Sequence, residues 1–515
     1  MNAQNRTAYA AKNILWGYVG NIFSILLAFV TRTVFIYTIG LEFLGVNGLF
    51  TNVLGVLSFT ELGVGVALNF SLYKPAAQGN REKLKSLMRV YKNAYRLIAL
   101  VVTVIGVALL PALPYIIKGA EALDQSQIPL YYLIFLFNTV TSYFVTYKYG
   151  IVNAEQKGYL LTNIDTACRG IISILQAVVL ILFQDFLLYL LVQAAAQLLQ
   201  KLFTALYIDR KYPYLKEKDV QPLEEEEAKR LKTNVKALVI HKIGDISVHQ
   251  TDNIVISAFL SVTLTGIVSN YTMLLTTATT LLAILFNALT ASLGNLIATE
   301  SKERQLALFE VYHFLGFLMY GFVTICFIAL IQPLMSLWVG AQNRIDTVSM
   351  VLMMSNLYLM GQRTTVNNFA AAGGMFNEGK YIALIQAVVN LVLNIVLVQL
   401  IGLPGIYIGT VIQGLIANIA RPVIMYRVLF KRHAGAYFRS FLKYLLVAGV
   451  MCVLMYLLSS QLLKTLTAWR FIGTALLVAG LCAGVLFLLF RKDSSFLFLK
   501  EKVQSLLKGR KTNAA

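Results

Sequence analysis

Charged side chains are scarce in this sequence. Only 13% of the 515 residues are Asp, Glu, Lys or Arg, whereas 58% are hydrophobic. Soluble globular domains carry about 25% charged residues. The scarcity therefore excludes a soluble protein of this length, and the balance is typical of a chain that crosses a membrane many times.

Cysteine is nearly absent as well. The four cysteines lie far apart in the sequence, each within an apolar stretch: Cys168, Cys326, Cys452 and Cys482. Their positions indicate neither a disulfide framework nor a metal site. We interpret them as small buried hydrophobic residues.

Several features of enzymes are missing. The sequence has no Gly-rich phosphate loop of the ATPase type, so we do not expect ATP to be the direct energy source. The outer loops are about ten residues each, which leaves no room for the extracytoplasmic catalytic domain of a glycosyltransferase or polymerase. No loop carries a carboxylate pair of the glycosidase kind. We therefore expect that the protein is not an enzyme.

Apolar stretches of about 20 residues, the length that crosses a bilayer, recur along the whole chain. Hydrophobic periodicity predicts an all-α polytopic membrane protein with about fourteen transmembrane helices. The predicted ranges are 12–38, 42–73, 88–117, 128–152, 159–184, 186–208, 237–262, 264–298, 308–336, 346–372, 381–401, 403–428, 438–460 and 468–490.

Basic residues predominate in one set of the predicted loops. Lysine and arginine cluster near 74–89, 148–157, 210–230, 427–439 and 491–511, whereas the opposite loops carry Lys118, Arg344, Lys464 and Arg470. The positive-inside rule assigns the richer set to the cytoplasm, so both termini are expected there. The net charge of +20 then reflects loops that face anionic lipid headgroups, and no nucleic-acid partner is needed.

A charged segment divides the spans into two sets. Residues 209–236 contain EEEE at 224–227, typical of a solvated linker or surface helix. Faint self-similarity with a period of about 220 residues relates RTVFIYTIGLEFLG at 32–45 to DNIVISAFLSVTLTG at 252–266. Two six-helix lobes related by such a repeat around a central cavity are a transporter architecture. The predicted divisions are lobes at 1–208 and 237–428, the linker between them, two further helices at 429–490 and a basic cytoplasmic tail at 491–515.

Ionisable residues inside the predicted spans point to functional sites, because each costs roughly 2.5–3.5 kcal/mol at the bilayer centre. They are Arg32 in the first span, Glu61 in the second, Asp165 and Arg169 in the fifth, and Arg363 in the tenth. Arg32 could bind phosphate in a cavity or extend to the outer surface. Asp165 and Arg169 could form a structural ion pair, and Glu61 could accept a bond from a neighbouring helix.

The seventh span carries four ionisable residues at helical spacing. Lys242, Asp245, His249 and Asp252 follow one another by three, four and three residues, so they share one helix face. Such a stripe is too costly to face lipid, and we expect it to face water or protein partners. Lys242 could instead extend to the cytoplasmic surface.

Four stretches resemble polysaccharide repeat-unit flippases of the Wzx type, a branch of the multidrug/oligosaccharidyl-lipid/polysaccharide superfamily. They are FLGVNGLFTNVLGVLSFTELGVG at 43–65, TDNIVISAFLSVTLTGIVSNY at 251–271, SLGNLIATE at 292–300 and GGMFNEGKYIALIQAVVNLVLNIVLVQLIGLPGIYIGT at 373–410. The resemblance implies a multi-pass protein of the bacterial cytoplasmic membrane. Its cargo would be an oligosaccharide on undecaprenyl pyrophosphate, moved outward for capsular or exopolysaccharide synthesis, with polymerase machinery as a partner.

The resemblance also implies a cationic cavity, for which Arg32, Arg169, Lys242 and Arg363 are the candidate ligands of pyrophosphate or acidic sugars. We expect alternating access with no resident cofactor. Coupling could use a proton or sodium ion at Asp245, His249 or Asp252, or the membrane potential. Two relatives in the same superfamily remain as alternatives: a peptidoglycan-precursor flippase and a cation-coupled multidrug exporter.

Overall fold

The computed structural model describes the backbone of residues 3–121, 123–217, 220–375 and 380–512. Side chains are described over the same ranges apart from 3–19, 21, 59–60, 62–63, 66, 230, 234, 236–250, 287–292, 295, 298, 380, 503 and 505–512. Over the described residues, the secondary structure is helical and contains no strand.

The helices correspond in order to the predicted spans. In the first half they are α1 Ala3–Thr38, α2 Leu41–Leu57, α3 Phe59–Gln78, α4 Arg81–Ala108, α5 Leu113–Ile116, α6 Ile128–Thr146, α7 Tyr149–Ala154, α8 Gly158–Phe183 and α9 Phe186–Lys211. In the second half they are α10 Glu225–Phe259, α11 Val262–Thr299, α12 Lys302–Trp338, α13 Thr347–Ala372, α14 Lys380–Ile401, α15 Leu403–Met425, α16 Gly435–Leu462, α17 Ala468–Phe490 and α18 Ser494–Thr512.

Ten helices among the described residues are long and apolar enough to cross a membrane. Shorter apolar helices at Ile22–Thr38 and Leu41–Leu57 accompany them. Helix α13 has 26 residues but is too polar to be among the ten. The predicted fold class, an all-α polytopic membrane protein, is confirmed.

Three of the differences from the predicted boundaries have identifiable contacts or charges at the boundary. The second predicted span, 42–73, is broken at Ser58, whose hydroxyl donates to the Leu54 carbonyl at 2.8 Å and accepts from the Tyr143 hydroxyl at 2.9 Å. Helix α4 begins at Arg81 because the Asn80 side chain caps it, accepting from the Lys83 amide at 3.0 Å. Helix α10 begins at Glu225, where carboxylates of the EEEE run stabilise a helix N-terminus.

The chain forms two compact units, Met1–Gly266 and Ile267–Ala515. The first unit includes α10 because this helix packs along α2 and α3. The boundary between the two compact units therefore lies after the predicted linker at 209–236. The predicted lobe boundaries stay a prediction. Within the first unit, Gly45 lets α2 approach the start of α11, since a Cβ on Gly45 would lie 1.9 Å from the Val262 carbonyl oxygen.

An aromatic cluster holds the second unit together at α12, α16 and α17. The Phe317 and Tyr444 rings stack with centroids 4.5 Å apart, and the Phe314 and Phe490 centroids are 5.2 Å apart. Contacts of this kind add about 0.5–1.5 kcal/mol to the burial of the rings. The last two predicted spans, α16 and α17, are thus integral parts of the second unit.

Candidate functional site

A polar cavity of about 390 Å³ lies within the first unit, where α1, α6, α8 and α9 meet. Its walls come from helices that are otherwise apolar. The polar lining residues are Ser24, Ser142, Thr146, Tyr149, Asp165, Arg169, Ser173, Gln176, Gln193, Gln197, Gln200 and Lys201. Two of the predicted site residues, Asp165 and Arg169, are therefore brought together in one cavity.

Helical spacing explains why these side chains converge. On α8, the residues at 165, 169, 173 and 176 recur every three or four positions and occupy one face. On α9, the residues at 193, 197 and 200 do the same, and the residue at 201 follows 197 by four positions. The two polar faces meet where the Gln176 amide donates to the Gln193 side-chain oxygen at 3.2 Å.

The Asp165 carboxylate has defined partners. It accepts a hydrogen bond from the Gln200 amide at 2.8 Å and interacts electrostatically with Arg169, one helical turn away. Asp165 is half-buried, whereas Arg169 is exposed. The carboxylate is therefore held against the cavity wall by α9, and the guanidinium is available to a ligand.

Lys201 is a cavity residue that the sequence analysis missed. Its ammonium donates to the Asn138 carbonyl at 2.6 Å and to the Thr141 hydroxyl at 2.9 Å, both on α6. One signal could have found it: Lys201 continues a helical row of glutamines within the predicted span 186–208. With Lys201 included, two cations and one carboxylate line the cavity.

The cavity can bind an anion and read hydroxyl groups beside it. Guanidinium forms bidentate hydrogen bonds with phosphate or carboxylate, and ammonium supplies a compact positive charge. The four glutamines add amide donors and acceptors, which suit the hydroxyls of a sugar.

Arg32 lies outside the described lining of this cavity. It follows Ala28, a lining residue of α1, by one helical turn and interacts electrostatically with Tyr189 on α9. The Tyr189 hydroxyl in turn bonds the side chain of Gln176, which lines the cavity. Arg32 is thus linked to the cavity through Tyr189, and its predicted role in binding cargo stays a prediction.

Glu61 occupies a separate place, among tyrosines of α4 and α6. Its carboxylate accepts from the Tyr95 hydroxyl at 3.3 Å and also bonds Tyr143. The break at Ser58 brings the first turn of α3 to these rings, because Tyr143 bonds both residues. The contacts match the predicted alternative in which Glu61 accepts a bond from a neighbouring helix.

Arg363 lies in the second unit, on the face of α13 that meets α15. One of its guanidinium nitrogens is 4.0 Å from the place where a Cβ on Gly414 would stand. Arg421 on α15, which was not predicted, donates to the Asn367 side-chain oxygen on α13 at 2.6 Å. Both arginines therefore lie where α13 and α15 pack. The predicted role of Arg363 in binding cargo stays a prediction.

The seventh predicted span corresponds to α10, which is helical throughout the stripe. The side chains of Lys242, Asp245 and His249 lie outside the described residues. Asp252 is half-buried and interacts with neighbouring groups. The predicted role of this stripe in ion coupling stays a prediction.

No protein-family profile and no curated protein sequence matches the chain. Solved structures do match its fold. Lipid II flippase MurJ in an inward closed conformation superposes with a TM-score of 0.63 and 15% identity, over 92% of this chain and 99% of that chain. An inward-facing multidrug resistance MATE family transporter of the MOP superfamily superposes with a TM-score of 0.57 and 17% identity, over 77% of this chain and 92% of that chain.

A third match is a MOP superfamily transporter from Pyrococcus furiosus, described as having a binding pocket of reverse polarity. Its TM-score is 0.53 and its identity 14%, over 81% of this chain and 94% of that chain. Identities this low establish a common fold alone. The chain is a multi-pass membrane protein with the fold of MOP superfamily transporters.

Proposed function

We propose that the protein is a flippase that moves an oligosaccharide carried on polyprenyl pyrophosphate from the inner to the outer leaflet, for synthesis of a cell-surface polysaccharide. The observation that carries this proposal is the cavity around Arg169, Lys201 and Asp165 within the membrane-spanning helices of the first unit. The protein binds and moves its cargo without changing it chemically.

The charges of the cavity favour an anionic head group. Arg169 and Lys201 supply two positive charges against the single negative charge of Asp165. An apolar or cationic drug would leave a net positive charge in the cavity without a counter-charge, whereas a pyrophosphate or acidic sugar would pair with it. The glutamine amides around the cations would hydrogen-bond the sugar.

The fold supports a lipid-linked cargo as the proposed class. The MurJ match covers 92% of the chain. Residues 1–428 make up only about 83% of the sequence. A match over 92% must therefore extend beyond residue 428, into part of the region with α16 and α17. The MATE transporter matches over 77% of the chain.

We further propose transport by alternating access in the bacterial cytoplasmic membrane, with both termini in the cytoplasm and polysaccharide polymerase machinery as a partner on the outer side. An inside-negative potential favours outward movement of an anionic cargo by about 2.3 kcal/mol per charge per 100 mV. Proton or sodium binding at the α10 stripe is the proposed additional coupling.

A peptidoglycan-precursor flippase is the second candidate, and the extent of the MurJ match favours it. It would use the same cavity for the same pyrophosphate. Loss of a peptidoglycan flippase is lethal, whereas loss of a flippase for a surface polysaccharide is usually tolerated. Viability of a deletion strain therefore separates the two.

The test of the proposal uses a strain that lacks this gene and still makes the lipid-linked repeat unit. Complete repeat units should accumulate on the inner leaflet, where an impermeant sugar probe does not reach them. The wild-type gene should restore labelling from outside, and so should the control Arg470→Gln, an exposed residue at the start of α17. The double variant Arg169→Gln/Lys201→Gln should not. Normal outward labelling in the deletion strain would contradict the flippase function.

A further inference from the structure

A second cavity, of about 580 Å³, lies elsewhere in the first unit. Its walls are α3, the first half of α4, residues 220–223 and the start of α10. It is separate from the polar cavity, with which it shares no lining residue. Nothing in the proposed transport cycle uses it.

Polar contacts fasten the segment that covers this cavity to α4. The Lys85 ammonium pairs with the Glu217 carboxylate at 2.7 Å, and the Ser86 hydroxyl donates to the Gln221 carbonyl at 2.6 Å. Arg89 donates to the Val220 carbonyl at 3.4 Å. The covering segment is therefore held over the cavity at one side.

The segment is also anchored before it reaches α4. The Tyr212 hydroxyl, just after α9, donates to the Glu155 carboxylate at 2.8 Å. Burial and this carboxylate raise the pKa of Tyr212 well above its ordinary value. The covering segment is thus held at its start as well as at α4.

The cavity is amphipathic. Its inner wall is apolar and includes Leu68, which is 1% exposed, together with Val90 and Ala94. Arg89 and Lys232 also line it, and both are exposed. It therefore runs from a cationic edge to a buried apolar end.

The cavity opens to the surface of the protein, and its lining is mostly apolar. Apolar surface of this extent commonly marks a site that a ligand or membrane component covers. The covering segment belongs to the charged linker at 209–236, which is expected to lie at the cytoplasmic surface, where anionic lipids concentrate. A ligand that matches the cavity has a negative head and an apolar chain.

We propose that this cavity binds an anionic phospholipid of the inner leaflet, with the phosphate on Arg89 and Lys232 and part of an acyl chain against Leu68, Val90 and Ala94. Charge complementarity at the exposed edge commits the site to an anionic lipid. The apolar end requires a chain and does not fit free phosphate. The inference is independent of the cargo proposed for the polar cavity.

The chain offers a matched control. Lys92 on α4 and Lys229 on α10 are exposed like Arg89 and Lys232 and lie on the same two helices, but they do not line the cavity. The variant Lys92→Gln/Lys229→Gln therefore removes the same charge from the same surface. A difference between the two double variants reports on the cavity and not on the basic character of the surface.

The test measures lipid retained by the full-length protein from phosphatidylcholine nanodiscs with and without phosphatidylglycerol, by native mass spectrometry. We expect the wild type and the control variant to retain phosphatidylglycerol in preference to phosphatidylcholine. Arg89→Gln/Lys232→Gln should weaken that retention about thirtyfold, from the usual contribution of two basic residues near a membrane surface. Equal losses in both double variants, or no preference in the wild type, would overturn the proposal.

A cavity-filling variant tests the acyl chain separately. Ala94→Phe keeps both cations and occupies the apolar end, so it should also abolish the preferential retention. Unchanged retention in Ala94→Phe would overturn the proposal, because the headgroup would then be held without the cavity. A melting temperature near that of the wild type identifies the variants that fold. If Arg89→Gln/Lys232→Gln does not fold, the Ala94→Phe result alone decides.

Discussion

Two polar regions of the molecule both contain glutamines on neighbouring helices and differ in what surrounds those glutamines. In the first unit, Arg169 and Lys201 line a cavity of about 390 Å³ together with four glutamines. In the second unit, amides of α14 and α15 bond one another. The Gln386 amide donates to the Gln413 side-chain oxygen at 2.7 Å, and the Asn390 amide donates to the Thr410 hydroxyl at 3.3 Å.

Helix packing accounts for the difference. Glycines on α15 allow α14 to come so close that a Cβ on Gly405 would lie 2.3 Å from the Leu397 carbonyl oxygen. No room is left there for a ligand, so the buried amides satisfy one another. Between α8 and α9, polar side chains also bond one another, but a cavity remains beside them. An intramembrane polar residue therefore indicates a binding site only where the helices around it stay apart.

The largest expected effect follows from removing both cations of the polar cavity in the first unit. Hydrogen bonds to charged groups contribute about 1.5–3 kcal/mol, so each cation should account for roughly tenfold to a hundredfold in cargo affinity. Arg169→Gln/Lys201→Gln should reduce the outward labelling of sugar to the level of the deletion strain. A double variant that transports normally would show that the cavity does not hold the cargo.

In the second region, where amides of α14 and α15 bond one another, substitutions should lower the free energy of unfolding. Gln386→Ala would leave the buried Gln413 amide without its partner, which costs about 1–3 kcal/mol. Gln386→Leu/Gln413→Leu removes both polar groups and should melt closer to the wild type than the single variant does. Thermal unfolding in detergent measures the difference. Equal melting temperatures for the single and double variants would contradict this account of the amide pairing.

Much of the fold could be predicted from the sequence, because runs of about 20 apolar residues identify membrane spans without knowledge of tertiary contacts. The break at Ser58 was not predicted, and the Tyr143 hydroxyl that bonds Ser58 lies 85 residues away in the sequence. The site was predicted in part. Asp165 and Arg169 share a helix and could be paired from their spacing, whereas Lys201 lines the same cavity from the next helix.

The surroundings of Arg363 show the same limit. Its polar neighbours in the sequence, GQRTTVNN at 361–368, are typical of a hydrated helix face. In the structure, Gln362 is fully buried and Asn367 accepts from Arg421 of α15. Polar residues on one helix cannot reveal from sequence alone whether water or another polar helix faces them.

A comparison of single arginine variants sharpens the contrast between the two regions. Arg363 lies against α15 near Gly414, so Arg363→Gln should lower the melting temperature by a few degrees and leave outward labelling within about twofold of the wild type. Arg169→Gln should reduce outward labelling and leave the melting temperature close to that of the wild type. Both variants can be measured in the same deletion strain and the same detergent. A transport loss in Arg363→Gln as large as that in Arg169→Gln would place Arg363 in contact with the cargo.

The smallest effect is expected at Asp165. Asn at this position can still accept from the Gln200 amide, so Asp165→Asn changes the charge of the cavity and keeps its geometry. Removing one negative charge near Arg169 should tighten binding of an anionic head group by about two- to fivefold, because water in the cavity screens the interaction. Calorimetric titration with a short-chain isoprenyl pyrophosphate sugar measures this. Asp124→Asn, in an exposed loop, is the control and should bind like the wild type. Weaker binding in Asp165→Asn would mean that the carboxylate itself contacts the sugar, as an acceptor for its hydroxyls.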